Sequence, residues 1–164
     1  TSETAQNAMS TFKEASKIYE QSRKYYDMLK NVNSLVSGSL KVKESVLMLS
    51  EISESYVTNY GKMLTDENYT QRELEAIAFG YNNIMKKSSA SVAGLKDIIN
   101  PTGMSMTDKE RMDLIERVYC EMRHYRTLVN YYTRKNLRVS YLRAREKGDT
   151  EQVLKLYGEN ERYW

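Results

Sequence analysis

Three observations predict an all-α fold. Apolar residues recur at steps of three and four along almost the whole chain, and no useful stretch alternates strictly. Pro101 is the only proline and there are seven glycines, so helices are rarely interrupted. Two capping boxes, Thr70 with Glu73 and Thr107 with Glu110, mark helix starts, since each pair satisfies two backbone groups that a helix end leaves open. The expected architecture is an elongated antiparallel bundle of about four long helices plus a short C-terminal helix, with room for a small helical appendage. Residues 1–164 form one domain in this reading.

The first helix is expected over 3–37, with Ala8, Phe12, Ala15, Tyr19, Tyr26 and Leu29 along one stripe and Gly38 as its stop. A second runs over 40–64 and places Val42, Val46, Leu49, Ile52, Tyr56, Tyr60 and Met63 on one face. After turn chemistry at 64–69, the capping box at Thr70 opens a third helix over 71–99, carrying Leu74, Ile77, Tyr81, Ile84 and Met85. Gly80, Gly94 and serines 88, 89 and 91 make it the weakest by propensity, with bending or fraying expected from Lys87 to Gly94. Asn100-Pro101-Thr102-Gly103 breaks the chain. A fourth helix over 108–147 presents Met112, Ile115, Val118, Met122, Tyr125, Val129 and Tyr132. Gly148 ends it, Asp149 is placed to cap a short helix over 150–157, and Gly158 ends that one.

Charge and aromatic content say more about partners than about fold. Between Arg117 and Lys147 stand nine Lys/Arg and only two carboxylates, Glu121 and Glu146, in a chain whose net charge is +3. The remainder of the chain is therefore net acidic, and charge this segregated points to an anionic partner. Tyrosine supplies 14 of the aromatic residues, against two phenylalanines and one tryptophan. Each ring carries a polar tip that must reach water or an acceptor, which suits the seams of a thin bundle and also suits interfaces. No run approaches the roughly 18 apolar residues of a membrane span. The lone Cys120 forms no internal disulfide and leaves the compartment open.

Residues able to do chemistry are scarce. His124 is the only histidine, and its one favourable spacing, four residues after Cys120, supplies at most two ligands of a metal that needs more. There is no Gly-rich phosphate loop, no zinc-protease signature and no Glu-x-x-His pattern. The expectation is a protein that is not an enzyme, with no metal and no cofactor. The candidate site is the basic helix, where Tyr125, Tyr131, Tyr132 and Tyr141 interleave with Arg126, Arg134, Lys135, Arg138 and Arg143. Tyr, Trp and Arg are frequent interface anchors, so this face is the expected docking surface, with Tyr163 and Trp164 as a second contact. The same residues suit phosphates and stacked bases, which keeps a nucleic-acid-binding accessory protein as the alternative.

Several strings together resemble one family: KIYEQSRKYYD (17–27), ELEAIAFGY (73–81), SMTDKERMD (105–113), LVNYYTRKN (128–136), VSYLRAREKGDT (139–150) and LYGENERYW (156–164). They are similar to the TraI-like proteins of Bacteroides-type conjugative transposons, in the same order along nearly the whole chain, and the ending NERYW is the most specific of them. The resemblance implies a component of a type IV secretion, or mating-pair formation, apparatus, placed like the minor pilus subunits of such systems. It implies other apparatus subunits as partners, is compatible with a homo-oligomer, and makes nucleic acid a remote partner. A periplasmic or cell-surface location is implied as well, after removal of a signal peptide that is not part of this sequence. None of the strings is a catalytic motif.

Overall fold

A computed structural model of the chain describes residues 38–95, 98 and 106–159, together with Ser10, Lys13, Ser16, Lys17 and Glu20, which are helical. The helix expected over 3–37 otherwise lies outside the described residues, as do Pro101 and the terminal Tyr163 and Trp164. What is described is all-α, with no strand: α1 (Ser39–Met63), α2 (Gln71–Ala93), α3 (Asp108–Glu146) and the short α4 (Thr150–Tyr157). Among these residues no helix is long and apolar enough to cross a membrane.

Cross-helix pairs fix the directions. The Tyr60 hydroxyl donates to the Leu74 carbonyl at 3.1 Å while the Tyr56 ring stacks on Tyr81, so α2 runs antiparallel to α1. Arg143 meets Glu73 and Glu121 meets Ser91, so α3 runs antiparallel to α2. Lys41 pairs with Glu116 and Glu51 with Arg126, which sets α1 and α3 parallel. The result is an up-down-up bundle, with α4 folded back across one end. Its core contains the predicted apolar face of α1 in full, together with Leu74, Ile77, Ala78, Tyr81, Ile84 and Met85 of α2.

Both capping boxes form. Thr70 Oγ1 accepts from the Glu73 N–H at 3.2 Å while the Glu73 carboxylate accepts from the Thr70 N–H at 2.9 Å. Thr107 and Glu110 do the same at 3.1 and 2.9 Å. Four details depart from the sequence expectation. Helix α2 stops at Ala93 rather than 99, where the Gly94 N–H tightens onto the Ala90 and Ser91 carbonyls. Before that point it does not fray: Ser88 is buried and its hydroxyl donates to the Ile84 carbonyl at 2.7 Å, so packing outweighs weak propensity. Asp149 sits at the start of α4 without making a side-chain cap, and its backbone N–H instead returns to the Ala144 carbonyl at 2.9 Å. Met112, expected in the apolar stripe of α3, is 36% exposed, at the end of the helix where the chain passes at Gly38.

Tyrosine builds the centre of the bundle. Tyr56 and Tyr81 stack with centroids 4.7 Å apart, and Tyr132 meets Tyr81 edge-on at 4.9 Å. Such pairs contribute about 0.5–1.5 kcal/mol each beyond their burial. Two polar tips are satisfied across helices: Tyr81 to Thr133 at 2.6 Å and Tyr132 to the Ile77 carbonyl at 2.9 Å. Burial pushes the Tyr60 hydroxyl up to about 12, with the Glu75 carboxylate adding to the effect.

Candidate functional site

Helix α3 is 39 residues long and contacts every other described helix, so its two faces have different fates. The face toward the bundle carries Ile115, Val118, Met122, Val129, Thr133, Leu137, Ser140 and Ala144, all buried at helical spacing. Toward its C-terminal end that face turns small and polar at Ser140 and Ala144, where it receives a loop.

That loop, residues 64–70, is organised by Asp66, which is 7% exposed. One carboxylate oxygen accepts from the Asn68 N–H at 2.9 Å, closing a tight turn. The other accepts from the Ser140 hydroxyl of α3 at 2.5 Å and the Tyr157 hydroxyl of α4 at 2.7 Å. A single buried acid thereby ties the loop to two helices. Burial first, then the hydrogen bond to Asp66, raises the Tyr157 hydroxyl far above the ordinary tyrosine range. Beside this junction lies a cleft of ≈ 430 Å³, lined by Asp66, Asn68, Ala144, Lys147, Val153 and Leu156 among others.

The predicted docking residues divide between the two faces. Arg143 is turned inward: its guanidinium forks onto Glu73 at 2.6 and 2.8 Å and also donates to the Asn68 carbonyl at 2.7 Å. Those bonds from Arg143, with that from the Thr70 backbone, hold the Glu73 carboxyl down at about 2. Arg126 reaches Glu51 of α1 at 3.3 Å. Tyr132 lies against α2, Tyr125 and Tyr141 are half-buried against the core, and none of these five faces solvent fully. Tyr131, Arg134, Lys135 and Arg138 share the opposite face and line one shallow recess. Among the described residues no carboxylate pairs with Arg134, Lys135 or Arg138. The second predicted contact, Tyr163 and Trp164, lies outside the described residues.

Three residues that charge and tyrosine content did not single out belong to the same surface. Leu128, Val139 and Leu142 are 36%, 37% and 41% exposed, and Tyr131 is 57% exposed. The signal available in the sequence was their spacing, which places them off the core stripe of α3 and beside the cations.

Cys120 is exposed and its thiol lies 3.8 Å from Glu116. Among the described residues no three His, Cys, Asp or Glu side chains gather where they could hold a metal ion. Asp66, Glu73 and Arg143 are engaged in structural bonds, whereas the three cations on the outer face of α3 meet no carboxylate among the described residues. No protein-family model matches this chain, and no curated protein or solved structure matches it either.

Proposed function

We propose that this chain is a non-enzymatic structural or adhesive subunit of a conjugative type IV secretion apparatus, acting through protein–protein contacts during DNA transfer. The observation that carries the docking part of the reading is the outer face of α3. There, among the described residues, Arg134, Lys135 and Arg138 meet no carboxylate beside the exposed Tyr131, while neighbouring arginines on the inner face are neutralised by Glu51 and Glu73. Desolvating a cation that has no partner costs free energy, so a face of this kind gains most from a complementary anionic surface. The apparatus part rests on the resemblance of the six sequence strings, which also implies a periplasmic or cell-surface location and other apparatus subunits as partners.

The test is conjugative transfer by the full-length protein carrying Arg134→Glu with Arg138→Glu. Both residues are exposed, so the far-UV circular dichroism should be unchanged while transfer is abolished. Normal transfer by the double variant would sink the assignment. Tyr131 among three cations also favours a second reading, a single-stranded nucleic-acid binder, in which affinity falls steeply with salt as counterions are released. Fractionation of the native host separates the two, because purely cytoplasmic protein is incompatible with the apparatus reading.

A further inference from the structure

The exposed face of α3 has a spacing that its charge alone does not explain. Leu128, Tyr131, Lys135, Arg138 and Leu142 follow one another at steps of three, four, three and four. That is the alternation with which one helix presents a seam to another. All five are exposed, on a helix that continues without a break from Asp108 to Glu146. The seam spans about 21 Å at 1.5 Å per residue. Apolar side chains stand at its two ends and cations at its centre, with Arg134 and Val139 on its flanks.

We infer that this seam is a helix-docking site whose occupant is an amphipathic helix of another protein, apolar at its ends and carrying Asp or Glu opposite Lys135 and Arg138. The inference rests on the docking reading above and specifies the partner's chemistry. Charge complementarity selects the occupant. Lys135 and Arg138 occupy seam positions, where a facing helix would desolvate them, and only carboxylates opposite make that burial favourable.

Other occupants fit less well for stated reasons. A second copy joined about a two-fold axis would set the three cations of one chain against those of its partner, since such an interface uses the same patch twice. A lipid surface calls for apolar residues at the centre of the buried stripe and cations at its margins, the reverse of this order. A nucleic-acid strand would leave Leu128, Val139 and Leu142 without contacts and find one exposed ring on which to stack. A helix uses all of these groups at once.

The experiment places a photoreactive diazirine side chain at Val139 of the full-length protein in its native host. Val139 flanks the seam and is exposed, so the substitution leaves the cations in place. Irradiation should give a protein adduct whose cross-linked peptide has carboxylates at three- and four-residue spacing between apolar positions. Arg134→Glu with Arg138→Glu should reduce that adduct by about tenfold or more, and Lys in place of the partner's carboxylates should restore it. An adduct to lipid, nucleic acid, a second copy of this chain or a peptide without acids would overturn the inference, as would no adduct. If the charge-reversed chain loses the adduct but transfers DNA normally, the apparatus reading fails and the seam stands. If it loses transfer while the adduct is of the wrong kind, the seam fails and the apparatus reading stands.

Discussion

The hydroxyl of Tyr132 occupies the volume that a Cβ on Gly80 would fill, and from there it donates to the Ile77 carbonyl at 2.9 Å. A glycine in mid-helix, normally a weakness, is what lets α3 lay a tyrosine ring directly on the backbone of α2. The same ring meets Tyr81 edge-on, so this contact feeds the aromatic centre of the bundle.

Gly80→Ala should therefore destabilise the protein although alanine is the better helix former. Overpacking costs about 1–3 kcal/mol, while the propensity gain returns about 1 kcal/mol. The net loss expected in urea denaturation is up to about 2 kcal/mol. Tyr132→Phe removes the atom nearest the new methyl, so the double variant should lose less than the two single losses combined. A stabilised Gly80→Ala protein would show that the close approach is absent.

Asp66 is the acceptor on which the loop, α3 and α4 converge. Asp66→Ala leaves the hydroxyls of Ser140 and Tyr157 without their partner, at a cost of about 3 kcal/mol. Tyr157→Phe, which removes one donor and leaves the acid satisfied by the others, should cost about 1 kcal/mol. Amide exchange of α4 (Thr150–Tyr157) is the sensitive readout, because protection there should fall before protection in α1. Unchanged protection in Asp66→Ala would mean that α4 is held by Val153 and its apolar neighbours alone.

Stability toward acid should depend on Glu73. Arg143 and the Thr70 backbone depress its pKa to about 2 in the folded chain, against 4.5 for an ordinary glutamate. The folded state keeps this group ionised where the unfolded state binds a proton. Its contribution is thus complete above about pH 4.5 and is lost as pH falls through about 2. Between these limits the urea midpoint of the native protein should fall more steeply than that of Glu73→Gln. Parallel slopes would contradict the Arg143 clamp.

At alkaline pH the sign reverses. Tyr60 titrates at about 12 when folded, and burial raises Tyr69, Tyr81 and Tyr157 as well, whereas unfolded tyrosine ionises near 10.0. A folded pKa raised in this way gives stability that is complete below pH 10.0 and is lost as pH climbs toward the folded values. Tyrosinate absorbance from these rings should appear together with the loss of helical circular dichroism, in one cooperative step. Ionisation of all the tyrosines with helicity intact would show that the rings are reached by solvent.

The helices themselves were legible in the order of residues, because what starts, stops and stripes a helix acts within a few positions. The capping boxes at Thr70 and Thr107 form as their spacing required, and the apolar face of α1 is buried residue for residue. Even the end of the fourth helix, expected at 147, lies at Glu146 with Gly148 beyond it in a positive-φ turn. Propensity misled where packing opposed it, at Ser88.

Charge segregation and tyrosine content also located the basic helix as the place to look. Which of its cations meet a carboxylate among the described residues was settled only by the fold. Arg126 and Arg143 differ little from Arg134 and Arg138 as letters in a string, but Glu51 stands 75 residues from the first and Glu73 stands 70 from the second. Those carboxylates arrive by the up-down-up packing of three helices. A helix repeats every 3.6 residues, so residues a few positions apart in one run of cations fall on opposite faces. The inner ones are neutralised by acids brought from far along the chain, and the outer ones meet no carboxylate among the described residues.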